Sequence, residues 1–291
     1  MNVRFTGKNR RLAEAAIEKL TDERPMTLRQ LYYRLVSDGL IRPEQREYRR
    51  LGNLMTRLRE AKAVPRTWLV DHIRSTLKPS SWTGLASFGE SVRASYRLNY
   101  WAQLNSSVEL FVEKDAVAGT IQPVTAEFDI PLRVCRGYAS LSFVGEIADL
   151  WSRIQKPIFA YYLGDFDASG FDIERDLQEK LERYSGRSIA DYADSDTIIW
   201  QRLGVKPDDF DRLGLIELPV KVSDRRAAGF IRKYGRRCAE VDAIPPNMLR
   251  QRVREAIESH IDFEEWERLQ QVEELERQTL QRCVDLLGSQ D

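Results

Sequence analysis

The first 70 residues repeat apolar positions at the spacing of amphipathic helices. One such pattern covers residues 9–21, and Thr27 begins a capping-box pattern that predicts a second helix. A third helix is predicted over residues 46–61, followed by a turn and a short strand over residues 63–70. The predicted buried stripes are Leu12, Ala15, Ala16 and Leu20 in the first helix, Leu28, Leu31, Tyr32, Leu35 and Val36 in the second, and Leu51, Leu54, Met55 and Leu58 in the third.

From residue 108 onward, short apolar runs alternate with longer helical patterns. The predicted strands are Val108–Val112, Pro131–Cys135, Ile158–Leu163 and Thr197–Trp200, and the predicted helices cover residues 115–127, 143–154, 172–184, 247–260 and 264–287. Alternation of this kind is typical of βαβ units and predicts an α/β fold with a largely parallel sheet.

Carboxylates follow two of these predicted strands. Glu113 comes directly after the first strand, and Asp165 and Asp167 follow the third, two residues apart. Side chains two residues apart on extended chain point to the same side. The carboxyl ends of parallel strands meet at one edge of a sheet, which is where open α/β sheets bind ligands. Clustered carboxylates repel each other, so the pattern predicts a site for one or two Mg²⁺ ions.

The polar sides of the second and third helices carry candidate chemistry of another kind. At 100° per residue Tyr33 falls off the apolar stripe of its helix, on the polar side with Arg29 one turn earlier. Three short helices followed by a strand predict a winged-helix arrangement whose third helix enters the major groove of DNA. The predicted DNA-binding residues are Arg49, Arg50, Arg57, Arg59 and Arg66.

Charge supports a polyanion-binding N-terminal module. Residues 1–100 contain 20 Lys and Arg against 10 Asp and Glu, whereas the whole chain of 291 residues has 45 of each and a net charge of zero. The rear part is therefore acidic by the same amount. The three scattered cysteines form no CxxC pair, and the chain has neither an apolar run of membrane-spanning length nor a secretory signal. We therefore expect a cytoplasmic protein.

Taken together, these motifs resemble a known family. The strand ending in Glu113, the turn at Gly137 and the Asp165–Gly170 segment are similar to the Toprim domain of topoisomerases, primases and some nucleases. The string Arg29-Gln30-Leu31-Tyr32-Tyr33 resembles the Arg-x-x-Tyr/Phe-Tyr motif of the topoisomerase VI A subunit and the meiotic double-strand-break transesterase, which place a winged-helix domain before Toprim. Residues 239–244 resemble the family's Lys-x-Glu-x-x-Ala-Leu segment but lack its Lys.

The resemblance implies three segments and a mechanism. Residues 1–100 would form the winged-helix DNA-binding and cleavage domain with a linker, residues 101–262 the Toprim domain with its extension, and residues 263–291 a C-terminal helix. Tyr33 would attack double-stranded DNA and form a 5′-phosphotyrosyl link, with Arg29 and Lys114 assisting and Mg²⁺ held by the three carboxylates. The family acts as a homodimer, and any ATP-dependent gate would belong to a separate ATPase subunit. The chain is most similar to compact bacterial, viral or mobile-element versions, which would be associated with the nucleoid.

Two other functions stay open from the sequence. The same carboxylates could activate water in a Toprim nuclease of a defence system or mobile element, with Tyr33 only contacting DNA. A DNA-binding scaffold that does not cut is the other alternative. The charged helix predicted over residues 264–287 could pack on the α/β domain or join a dimer interface, and we favour packing.

Overall fold

The computed structural model describes residues 7–69 and 80–288 of the chain. Within them the helices are α1 (Lys8–Glu23), α2 (Leu28–Ser37), α3 (Gln45–Glu60), α4 (Leu85–Ser95), α5 (Asp115–Glu127), α6 (Leu141–Trp151), α7 (Ala168–Ser185), α8 (Asp209–Arg212), α9 (Ala227–Tyr234), α10 (Pro246–Glu258) and α11 (Phe263–Gly288). The strands are β1 (Ser107–Val112), β2 (Leu132–Val134), β3 (Ile158–Leu163), β4 (Ser188–Ile189), β5 (Thr197–Arg202), β6 (Leu218–Pro219) and β7 (Arg237–Cys238).

The fold is mixed α/β, as predicted, and is built on a five-stranded parallel sheet with the order β2-β1-β3-β5-β4. Residues along β1 alternate between the two faces of the sheet. Val108, Leu110 and Val112 belong to the cluster that also includes α5 and α10, whereas Phe111 packs with α6 and α7. Helices therefore cover both faces, which explains why the strands are almost wholly apolar.

The N-terminal helices begin and end close to the predicted residues. In α2 the predicted capping box is present: Thr27 Oγ1 accepts the Gln30 amide, and the Gln30 side chain accepts the Thr27 amide at 2.9 Å. The predicted stripe of α3 is buried in full. These helices share one continuous apolar cluster with α5 and α10, so they are packed against the α/β part of the chain.

The turn and short strand predicted over residues 63–70 are not what the structure shows. Residues Arg66–Trp68 form a 3₁₀ helix, because Pro65 sets the turn and its carbonyl accepts the Trp68 amide at 3.2 Å. Leu69 then forms a single parallel bridge to Met26, and Val70 lies outside the described residues.

The C-terminal helix packs within the chain. Val284 of α11 lies against Gly89 of α4, where a Cβ on the glycine would be 2.9 Å from the valine side chain. Nearer its start, Trp266 is buried against Trp101 and Phe128. Helix α11 thus joins α4 to the α/β part. Among the described residues, no helix is long and apolar enough to span a membrane.

Candidate functional site

Two predicted carboxylates meet at the carboxyl edge of the sheet. Strands β1 and β3 are neighbours, with Val112 opposite Leu163, so Glu113 and Asp165 leave the sheet side by side. The Glu113 carboxylate accepts the Asp165 amide at 3.1 Å, and both residues are buried. Burial first, and then the charge of Asp165, raise the pKa of Glu113 to about 7. This edge therefore concentrates negative charge, as the sequence predicts.

Small residues make this close approach possible. A Cβ on Gly170 would lie 2.4 Å from the carbonyl oxygen of Asp165 and 3.3 Å from the Glu113 carboxylate. A Cβ on Gly164 would lie 2.9 Å from the same carboxylate. Only glycine fits at position 170 without moving backbone, so the turn after β3 can fold tightly over Glu113.

Asp167 has a different local role. Its carboxylate accepts the Gly170 amide at 2.7 Å and caps the N-terminus of α7. Together with Asp165 it lines a cavity of about 120 Å³, to which Glu240 and Asp224 also contribute. The two aspartates predicted from the Asp-x-Asp spacing therefore face one small cavity.

Lys114 is the central cation of the site. Its Nζ lies 2.7 Å from Asp165, 3.2 Å from Glu240 and 3.4 Å from Asp242. Burial alone would lower the pKa of Lys114, but attraction to Asp165 and to the other two acids outweighs it, so that the pKa is raised. Lys114 is therefore a permanent positive charge that neutralises the acids around it.

Glu240 and Asp242 are site residues that the sequence pattern does not predict. They arrive through the two-stranded antiparallel pair β6–β7 and through a bridge between Phe166 and Ala239. The Asp165 carboxylate then accepts the Val241 amide at 3.0 Å, which fixes the segment against the sheet edge. The signal that could have found them is the Ala239–Ile244 string, which resembles a family motif.

Tyr33 lies on the side of α2 that carries Arg29, as the sequence predicts, but this side is covered by the rest of the chain and Tyr33 is only 7% exposed. Helix α2 packs with this side against the 3₁₀ helix Val241–Ala243, a contact that helical periodicity within one module cannot reveal. Burial first, and then the charge of Glu240, raise the pKa of Tyr33, although Arg29 acts in the opposite direction.

Arg29 links the helical part to the acidic cluster. Its guanidinium lies 3.0 Å from the Glu240 carboxylate, and Glu240 in turn contacts Lys114. One residue further on, the Gln30 side chain accepts the Thr120 hydroxyl of α5 at 2.7 Å. The structure thus brings Tyr33 and Arg29 to the same site as the sheet-edge residues.

The predicted DNA-binding arginines lie apart from this site. Arg50 is partly engaged within the protein, since it donates to Asn9 at 2.7 Å and to Glu47 at 3.0 Å. Arg49 and Arg57 are exposed and Arg59 is half-buried, whereas the Arg66 side chain is outside the described part of the structure. Arg50 also lines a groove of about 800 Å³ between α1, α3 and the preceding loop, together with Arg11, Arg42 and Arg46.

The predicted metal ligands fit Mg²⁺ in chemistry but not in arrangement. All are carboxylate oxygens, the donors that Mg²⁺ prefers. Within residues 7–69 and 80–288, however, no three Asp, Glu, His or Cys side chains are grouped as a metal site. Glu113 is turned to the Asp165 amide, and Asp165 is paired with Lys114. The buried Asp242 Oδ1 has no hydrogen-bond partner among the described atoms. A metal site here stays a prediction.

Comparison with known proteins adds no identification: no family model matches the chain, and no curated protein is significantly similar to it.

Proposed function

We propose that this chain cleaves double-stranded DNA by phosphodiester transfer, with Tyr33 as the nucleophile. The observation that supports this is the convergence of three distant segments on one site. Arg29 and Tyr33 come from α2, Lys114 and Asp165 from the sheet edge, and Glu240 connects them. A site with a phenol, two cations and several carboxylates has the groups that transfer of a phosphoryl centre needs.

The chemistry at this site assigns a role to each group. The Tyr33 oxygen forms a bond to phosphorus while the bond to the 3′-oxygen breaks, which gives a 5′-phosphotyrosyl link and a 3′-hydroxyl. The phenol proton passes to a carboxylate, for which Glu240 is the candidate because its charge acts on Tyr33. Arg29 and Lys114 stabilise charge on the phosphoryl oxygens. The leaving 3′-oxygen takes up a proton from solvent water, and Glu240 returns the phenol proton to solvent.

The remaining features of the proposal follow from the family resemblance. The helical part is a winged helix and the parallel sheet a Toprim domain. DNA phosphates contact the predicted residues Arg49, Arg50, Arg57, Arg59 and Arg66, and Arg50 also lines the groove that contains Arg11, Arg42 and Arg46. A twofold homodimer cuts both strands, and a separate ATPase subunit supplies any ATP-driven step. The protein acts on DNA in the cytoplasm, in association with the nucleoid of a bacterium or with the DNA of a virus or mobile element.

One observation favours hydrolysis as a second candidate. Tyr33 is only 7% exposed, and burial raises its pKa further above neutrality than that of an ordinary phenol, so it is harder to deprotonate in this conformation. In a nuclease, water would attack the phosphodiester and Tyr33 would only contact DNA. The two functions leave different products, because transesterification attaches protein to the 5′ ends.

The deciding experiment is cleavage of supercoiled plasmid by Tyr33→Phe in the presence of Mg²⁺. The matched control is Tyr32→Phe, since Tyr32 is the adjacent buried tyrosine and its hydroxyl donates to the backbone carbonyls of Arg42 and Glu44, before α3. We expect Tyr33→Phe to abolish cleavage and Tyr32→Phe to retain it, with protease-sensitive protein on the 5′ ends of the wild-type product. Full cleavage by Tyr33→Phe with free ends would establish hydrolysis instead. Unchanged DNA processing by Asp165→Ala would support the scaffold function.

Metal binding is tested separately from activity. We expect Mg²⁺ to raise the midpoint of thermal unfolding of the wild-type protein, because a ligand that binds only the folded state stabilises it. Asp165→Asn removes a predicted ligand charge and should abolish this shift, whereas Asp211→Asn, at an exposed ion pair elsewhere, should not. An equal Mg²⁺ shift in all three proteins would contradict the predicted site.

A further inference from the structure

A second, larger cavity lies next to the carboxylate cavity. It is widely open to solvent and has about 580 Å³ between α7, β5 and α9, a size typical of small-molecule sites. Gly229 on α9 contributes no side chain, and a Cβ there would meet nothing within 4 Å. The space is therefore open along that helix.

Aromatic rings with cations above them form one wall of this cavity. The rings of Phe171 and Tyr234 are stacked at 4.3 Å with an interplanar angle of 22°. The Arg202 guanidinium lies 4.3 Å from the centre of the Phe171 ring, and the Lys233 ammonium lies 5.0 Å from that of Tyr234. Both rings are half-buried, so they present apolar area to a ligand. Rings of this kind stack on nucleobases, which all have a flat π face.

The charges around the wall favour an anion. The lining includes Arg175, Arg202, Arg226 and Lys233 against Asp172 and Glu174, an excess of two positive charges. Arg202 is occupied by Glu174, with which it forms a close ion pair. Arg175 is 54% exposed but is paired with Asp172 at 2.8 Å and with Glu179 at 2.6 Å, so a phosphate would have to compete with these two acids for it. Lys233 is exposed and can reach a phosphate at the mouth of the cavity.

We propose that this cavity binds one unpaired nucleotide of a DNA strand. The base stacks on Tyr234 in the place now taken by Lys233, and the phosphate contacts Lys233 and Arg175. A paired base is held within its duplex, so only a nucleotide at a strand end, a gap or a distorted step can enter. The ligand chemistry is a flat base joined to a phosphate, which a free mononucleotide shares.

The cavity is also placed to orient a strand. Ala168 lines both cavities. Arg226 links them, because its Nη1 contacts Asp172 in the larger cavity while its Nη2 donates to Ser169 at 3.0 Å and to Asp224 at 2.8 Å in the smaller one. A strand with one nucleotide in the aromatic cavity would carry a neighbouring phosphodiester to Asp165. This placement rests on the proposed function, whereas nucleotide binding itself does not.

The test is fluorescence anisotropy of a labelled oligothymidylate of about 8 nucleotides, a length within the usual range of single-strand sites. EDTA is present throughout, so that binding is measured without cleavage. Two variants alter the cavity in opposite ways: Tyr234→Leu removes the stacking ring, and Gly229→Leu fills the space without removing a contact. The matched controls are Tyr184→Leu, whose exposed ring also lies beneath an arginine, and Gly145→Leu on α6. Circular dichroism confirms that each variant is folded.

We expect both cavity variants to weaken oligonucleotide binding by between about 5-fold and about 150-fold, the range for loss of one stacked base, and both controls to bind as the wild type does. Wild-type affinity in Gly229→Leu and Tyr234→Leu, or no binding by the wild type, would overturn the proposal. Competition with 5′-thymidylate, inorganic phosphate and a closed DNA hairpin shows whether the cavity takes a nucleotide of a strand, a free nucleotide or phosphate alone. If 5′-thymidylate competed as well as an unlabelled oligothymidylate, the proposal that the cavity positions a DNA strand would be overturned. If the wild-type protein bound the oligonucleotide but did not cut plasmid DNA, the proposed cleavage function would be contradicted and the proposed nucleotide cavity would not.

Discussion

The Lys114 network makes a quantitative prediction about stability. Its ammonium contacts three acids, and the side chains of Asp165 and Asp242 are 11% and 0% exposed. In Lys114→Met the stem still packs, but the acids lose their counter-charge. Removing one partner of a buried ion pair costs about 3–5 kcal/mol. Because the Lys114 side chain is 25% exposed, we expect Lys114→Met to lower the free energy of unfolding by the lower end of this range, about 3 kcal/mol. This corresponds to a decrease of roughly 6 °C in the midpoint of thermal unfolding.

The assay is urea unfolding at pH 7.5 followed by circular dichroism, with two comparison variants. Lys180 has a similar exposure of 30% but contacts one acid, Asp176, in its own helix, so Lys180→Met should cost about 1 kcal/mol or less. Adding Asp242→Asn to Lys114→Met removes one of the stranded charges and should restore part of the loss. An equal cost for the two lysine variants, or no recovery in the double variant, would refute the electrostatic argument.

Three further predictions concern the same region. Gly170→Ala should lower the unfolding midpoint because its Cβ would lie 2.4 Å from the Asp165 carbonyl, whereas Gly145→Ala, where a Cβ meets nothing within 4 Å, should raise it slightly in the same thermal scan. The pKa of Glu113 is about 7 in the folded chain against a usual 4.5, so the folded state holds this proton more tightly and loses that advantage as pH rises through this window. Glu113→Gln should therefore be more stable than wild type at pH 8 by about 3 kcal/mol, with little difference at pH 4.5, and an equal difference at both pH values would contradict this. The raised pKa of Tyr33 predicts stability that is present below about pH 10 and is lost above it, and this loss should be smaller in Tyr33→Phe when unfolding is followed against pH.

Much of the fold could be predicted because its signals are local. The capping box at Thr27 and the stripe of α3 depend on residues three or four positions apart, and both are present. The edge at which Glu113 and Asp165 meet follows from the alternation of strands and helices. The two-residue strands, such as β7, are too short to carry a periodic signal, so their contribution to the site could not be predicted.

The candidate site depends on contacts between residues far apart in the chain, which local patterns do not predict. Helical spacing predicts which side of a helix is buried only when the helix is covered on one side. Helix α2 is covered on two sides. Helices α1 and α3 cover one side, and the Val241–Ala243 turn covers the other, which buries Tyr33. Lys114 illustrates the same limit, since its three acid partners lie 51 to 128 residues away in the chain.

Burial of Tyr33 sets an order of events for the proposed cleavage. Arg29 of α2 is paired with Glu240, and the Gln30 side chain accepts the Thr120 hydroxyl. Arg250 donates to the backbone carbonyls of Glu23 at 2.8 Å and Pro25 at 2.9 Å, so both α2 and the segment before it are fixed to the α/β part. A DNA phosphate cannot reach a phenol that is 7% exposed while these contacts remain. Their separation also removes the burial that raises the pKa of Tyr33. Exposure and activation of the tyrosine would therefore occur in one step, when α2 shifts far enough from the Glu240 segment to admit a phosphate but stays close enough for Glu240 to accept the phenol proton.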